Sequence, residues 1–150
     1  MEQRSYPTGE RLSLLGFGAM RLPTLDGNMG RIDKAAVFDM VDVALDGGIN
    51  YFDTAYGYHE RTSESVLGEA LARHPRDRFY LATKMPPWYI QSEQDVHRLF
   101  DEQLLKCRVD YFDFYLQHNV SQSTLVTFEQ FGVYEILREK QKQGKLRHLG

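Results

Sequence analysis

The feature that most constrains this chain is a repeated alternation of short apolar runs with segments of helical period. Leu12–Gly18 reads as a buried strand, and a loop rich in Gly, Pro and Asn follows over Arg21–Ile32. Asp33 is placed to cap a helix whose Val37, Met40, Val41, Ala44 and Leu45 recur at i, i+3, i+4, i+7 and i+8. Gly47-Gly48 ends it, and Ile49–Phe52 is the next apolar run. A second helix, capped by Ser63, carries Val66, Leu67, Ala70 and Leu71, and Pro75 stops the turn after it. Phe79–Thr83 is the third strand, followed by the loop Met85–Trp88. Ser92, with Asp95 in capping-box position, opens a helix that turns Val96, Leu99, Phe100 and Leu104 inward. Tyr111–Gln117 is the fourth strand, then come a polar loop, a helix around 131–143 and a fifth strand beginning at Leu146.

Strands and helices alternating at roughly thirty-residue spacing are the mark of βαβ units on a parallel sheet. The strands are near-continuous apolar runs, as expected where helices cover the sheet. Four units plus the start of a fifth strand are present. A (β/α)8 barrel of the TIM-barrel type needs about 250 residues, so 150 residues correspond to its first half. A doubly wound sheet of four or five strands is the competing architecture.

Three of the apolar runs end on chemistry. Asp53 closes the strand at 49–52, and Tyr58 lies five residues further on a loop. Lys84 closes the third strand and His118 the fourth. Taken singly, Asp53 is a turn former, Tyr58 a core aromatic, Lys84 a surface cation and His118 an interior imidazole. Together they lie at strand C-terminal ends, where barrel enzymes place catalytic groups. A phenol, with an ordinary pKa of about 10, is a reluctant proton donor at neutral pH. A neighbouring ammonium favours the phenolate, a carboxylate holds that ammonium in place, and an imidazole can hydrogen-bond a carbonyl oxygen. The set suits carbonyl reduction. Gly16-Phe17-Gly18 is not a dinucleotide fingerprint, because the third glycine would fall at Arg21.

With 42% hydrophobic residues the chain can build a core, and a net charge of −3 without clustering gives no reason to expect nucleic acid or an anionic membrane. Cys107 is the only cysteine, so neither an intrachain disulfide nor a cysteine metal cluster forms within the segment. It reads as helix packing. A reduced, cytoplasmic setting is the simplest expectation, and no apolar run suggests a signal peptide or a membrane span. His59, His74, His97 and His148 have no partner pattern and are expected at the surface.

The motifs resemble the aldo-keto reductase superfamily along almost the full length. Leu15–Arg21 is similar to its first strand and the following loop; Phe52-Asp53-Thr54-Ala55-Tyr56-Gly57-Tyr58 resembles its Asp-Thr-Ala-x-x-Tyr motif, continued by Ser63-Glu64 and Leu67-Gly68. Ala82-Thr83-Lys84, Tyr115–His118 and Gly144–Gly150 resemble its lysine strand, its histidine strand and its entry to strand five. The resemblance implies a half barrel with Tyr58 as general acid, Lys84 as the cation beside it, Asp53 as the lysine's partner and His118 orienting the carbonyl. It implies NADPH as reductant, with NADH open, and a small carbonyl substrate. Gly18, Met20, Arg21, Asp53 and Asn119 would meet the cofactor. Trp88 would line the substrate pocket with His118, or pack as an ordinary aromatic. The family's later strands grip the cofactor's phosphates. The unpaired edges of a half barrel invite a homodimer. A non-catalytic binding or regulatory module is the alternative to an enzyme.

Overall fold

The computed structural model describes residues 1–150. Its main sheet is parallel and runs in chain order: β3 (Phe17–Gly18), β4 (Tyr51–Asp53), β5 (Tyr80–Met85), β6 (Phe112–Gln117) and β7 (Leu146–Leu149). Strand order without reversal excludes a doubly wound sheet, whose order switches direction, and leaves half of a (β/α)8 barrel. The joining helices are α1 (Lys34–Asp46), α2 (Ser63–Leu71), α3 (Glu93–Cys107), α4 (Gln122–Gln130) and α5 (Val133–Lys142).

The strands alternate with period two. Phe52, Leu81, Thr83 and Met85 are fully buried. Tyr51, Asp53, Tyr80 and Lys84, on the opposite face, are partly exposed. Against the buried face lie Val37, Val41 and Leu45 of α1, Val66, Leu67 and Leu71 of α2, and Val96, Leu99 and Phe100 of α3. α2 and α3 pack closely at Gly68, where a Cβ would stand 2.5 Å from the Lys106 carbonyl oxygen. At the strand N-terminal end, buried Asp113 accepts from the Leu81 backbone N–H at 2.8 Å and from Arg76 and Arg147 at 2.5 and 3.2 Å.

Several expectations need correction. Leu12–Gly18 is not one strand. β1 (Gln3–Ser5) and β2 (Arg11–Ser13) form an antiparallel hairpin, and only Phe17–Gly18 joins the main sheet. Leu14 and Leu15 between them are exposed. Asp33 caps α1 as expected, accepting from the Ala36 N–H at 3.1 Å, but Met40 is exposed. Ser63 opens α2 without capping it: its hydroxyl donates to the Ala19 carbonyl at 2.8 Å. Ser92 caps α3 as expected, its hydroxyl accepting from the Asp95 N–H at 3.2 Å, but the Asp95 carboxylate accepts from the Gln91 N–H and the Ser92 hydroxyl, so the reciprocal half of the box does not form. The segment read as a polar loop after His118 contains α4, capped by a reciprocal Ser121–Thr124 box. No helix is long and apolar enough to cross a membrane.

Candidate active site

Because β3 to β6 run parallel, their C-terminal ends gather at one rim. The register pairs Gly18 with Asp53 and Asp53 with Ala82, so Lys84 rises two residues beyond the end of β4. Its ammonium bends back over that end and donates to Asp53 Oδ1 and to the Thr54 carbonyl, both at 2.7 Å. Lys84 is mostly buried and Asp53 about one-third exposed, a setting in which salt screens a pair less than at the open surface. On the next strand, the His118 N–H donates to the Met85 carbonyl at 3.1 Å, which places the imidazole one step past the lysine.

Tyr58 is delivered by a tight turn. Its N–H donates to the Ala55 carbonyl at 3.2 Å, and its own carbonyl accepts from the N–H groups of Arg61 and Ser63. His59, Glu60 and Arg61 all have left-handed φ values, of 51°, 52° and 73°. L-residues adopt that region at a cost, and three in succession reverse the chain under the tyrosine. The Lys84 ammonium stands 5.1 Å from the Tyr58 ring centre. The Tyr58 and His118 rings meet edge to face at 5.9 Å, and Trp88 meets His118 at 5.2 Å on an exposed edge. Asp53, Tyr58, Lys84, Trp88 and His118 therefore share one surface.

Burial lowers the His118 pKa, and the adjacent Lys84 charge lowers it further, with Asp53 opposing. Its buried Nδ1 has no hydrogen-bond partner within the chain. Gly18, Met20 and Arg21 are exposed at the same rim, on the turn leaving β3, and Gly18 has open space where a Cβ would point. Asn119 turns left-handed (φ 56°) just past His118 and is exposed, its carbonyl accepting from the Thr124 hydroxyl at 2.7 Å. Cys107 is buried with its thiol pushed up, in keeping with packing.

Two supporting residues escaped the sequence reading. His59 is buried, not at the surface: Leu22 N–H donates to its Nε2 at 2.8 Å and its Nδ1 lies 3.0 Å from the Met29 carbonyl. Both contacts hold the segment after β3 beside the site. Thr54 contributes a backbone carbonyl, which no side-chain pattern announces. The signal for His59 was its place between the tyrosine and a helix start, where a long loop needs an anchor.

Comparison with known proteins decides the family. The aldo/keto reductase family model matches residues 14–150. The chain belongs to the aldo/keto reductase family. It is 33% identical to a 6-dehydroglucose reductase of Novosphingobium aromaticivorans, over 95% of this chain and 48% of that one. It is 28% identical to an NADH-specific methylglyoxal reductase of Escherichia coli, over 93% of this chain and 48% of the relative. Among solved structures, an aldo-keto reductase assigned in Pseudomonas aeruginosa superposes with a TM-score of 0.81 at 25% identity, covering 99% of this chain and 59% of that one. An aldo-keto reductase from Klebsiella pneumoniae in complex with NADPH superposes at 0.72, with 24% identity, over 100% of this chain and 49% of that one. The chain spans about half the length of the curated relatives it matches.

Proposed function

We propose that this chain carries the proton-delivering half of a nicotinamide-dependent carbonyl reductase. The observation behind the proposal is the Lys84 ammonium, 2.7 Å from Asp53 and 5.1 Å from the Tyr58 ring centre, with His118 edge-on to the same tyrosine. Tyr58 donates a proton to the carbonyl oxygen as it becomes an alkoxide. The lysine charge stabilises the negative charge left on the phenol oxygen, and Asp53 holds the lysine amine in place. His118, kept neutral by its lowered pKa, donates a hydrogen bond to the substrate oxygen. Trp88, in ring contact with His118, would border the substrate on the exposed side of the imidazole.

The residues present fit a nicotinamide at this rim: the exposed Gly18–Arg21 turn, the open space over Gly18, Asp53 and Asn119 would face it. A bound reduced nicotinamide would supply the hydride for the carbonyl carbon, and with the Tyr58 proton that balances the reduction of an aldehyde or ketone to the alcohol. NADPH is the proposed reductant, supported by the NADPH complex of the Klebsiella structure, and an NADH-specific relative keeps NADH as the second candidate.

The two outer edges of the sheet favour a homodimer as the form of this chain in isolation. β3 and β7 each pair on one side only, and Tyr51 and Tyr80 are half-buried on the sheet face opposite the helices.

The test is consumption of NADPH, or NADH, with a simple aldehyde. Turnover abolished by Tyr58→Phe supports the reading. Turnover indifferent to that change would remove Tyr58 as donor, and dinucleotide binding without turnover would identify a binding or regulatory module instead.

A further inference from the structure

Behind the lysine strand lies a buried polar network that the proposed proton transfer does not use. Gln103 of α3 and Glu64 of α2 are both fully buried. The Gln103 amide nitrogen donates to Glu64 Oε1 at 2.6 Å and to the Lys84 backbone carbonyl at 3.0 Å, with Thr83 Oγ1 3.1 Å away. Its carbonyl oxygen accepts from the Tyr115 hydroxyl, and Thr83 donates to Glu64 at 2.7 Å. A carboxyl oxygen and a peptide carbonyl on one side of the amide leave its orientation no freedom, because its NH2 must face both.

The contact with Lys84 has a topological reason. β4 ends at Asp53, paired with Ala82, and the last backbone bond in that direction runs from Thr54 N–H to the Ala82 carbonyl. The Lys84 carbonyl therefore extends past the strand that would have paired with it, and a buried carbonyl without a donor is costly. Gln103 supplies that donor from the helix layer. α2, which carries Glu64, begins five residues after Tyr58, so the same network ties the tyrosine's turn to the lysine's strand.

We propose that Gln103, oriented by the Glu64 carboxyl and the Tyr115 hydroxyl, is a positioning residue that sets where Lys84 presents its amine. The inference rests on Lys84 having the role given above, but not on turnover. The lysine meets Asp53 and Thr54 at 2.7 Å each, and a backbone shift of about 1 Å at its anchor is enough to lose contacts of that length. Burial raises the Glu64 pKa and so favours its neutral acid, whose Oε1 still accepts from Gln103 and Thr83.

Amine reactivity tests this directly. The chain is treated with limiting acetic anhydride, and acetylation at Lys84 is measured by peptide mass spectrometry against exposed Lys142. Gln103→Met keeps the volume but removes the donor, and acetylation of Lys84 should rise about five-fold with Lys142 unchanged. Glu64→Gln keeps an acceptor oxygen and should leave Lys84 within about two-fold of the native chain. A folded Gln103→Met chain with native Lys84 reactivity overturns the proposal, as does Glu64→Gln raising it as far as Gln103→Met does. Should Gln103→Met fail to fold, Tyr115→Phe removes one hydroxyl and should raise Lys84 acetylation about two-fold; no change there also overturns it. The readout needs no catalysis, so a chain that reduces no carbonyl still answers the question.

Discussion

The Lys84 ammonium reaches back across the end of β4 to hold Asp53 at 2.7 Å, although the two residues belong to neighbouring strands and lie 31 positions apart. The reach follows from unequal strand lengths. β5 runs to Met85 while β4 stops at Asp53, so the lysine overhangs the carboxylate. Overhang is what lets one cation stand beside both Asp53 and the Tyr58 ring.

His118 gives the site an acid limit. Its pKa in the fold lies below the ordinary value of 6.5, so the unfolded chain binds the proton more readily. The stability it contributes is complete above 6.5 and is lost as pH falls through the lowered value. Urea unfolding midpoints compared between neutral and mildly acid pH should fall further for the native chain than for His118→Asn. Equal slopes would mean that burial and the lysine do not act on this imidazole.

The left-handed run His59–Arg61 stores strain beside the tyrosine. Glu60 is exposed, and glycine tolerates its φ of 52°. Glu60→Gly should raise unfolding stability by about 0.5–1 kcal/mol, the relief of strain being partly offset by glycine's greater chain entropy. Denaturant melts check this, and a loss of stability would show that the glutamate makes contacts worth more than the strain.

Gly68 sets the approach of α2 to α3. A methyl group there would meet the backbone of Lys106 and Cys107 at 2.5–2.7 Å, and backbone cannot swing aside as a side-chain tip can. Gly68→Ala should cost about 1–3 kcal/mol, well beyond its small gain in helix propensity. Unchanged thermal unfolding would contradict the packing.

The fold and the site were legible in the sequence to different depths. β4, β5 and β6 announce themselves as apolar runs, with Asp53, Lys84 and His118 at or beside their C-terminal ends, so the rim could be read from strand ends alone. The β1–β2 hairpin could not, since its short, mostly exposed strands carry no apolar alternation. α4 was hidden because its nine residues bury little beyond Thr124 and Phe128. His59 and Gln103 were missed because polar residues default to the surface. Gln103 did carry a signal, standing on the same stripe as Val96, Leu99, Phe100 and Cys107 of α3. Its burial follows from its partners, which come from α2, β5 and β6 and become visible only when the sheet is assembled.

The open edges of β3 and β7 predict self-association. Sedimentation of the chain should give the mass of a dimer, and Gly18→Pro, which alters the β3 edge, should shift it toward monomer. A well-folded monomer at all concentrations would contradict pairing through these edges.

In the proposed mechanism Lys84 acts through Tyr58, the two being parts of one proton-delivering unit. Turnover of an aldehyde with reduced nicotinamide, measured for Tyr58→Phe, Lys84→Met and the double variant, tests it most directly. Each single change should cost about 10²-fold or more, and the double variant should be little worse than the poorer single, because a lysine that acts through the tyrosine has nothing left to assist. Losses that multiply in the double variant would contradict the claim and make the two residues independent.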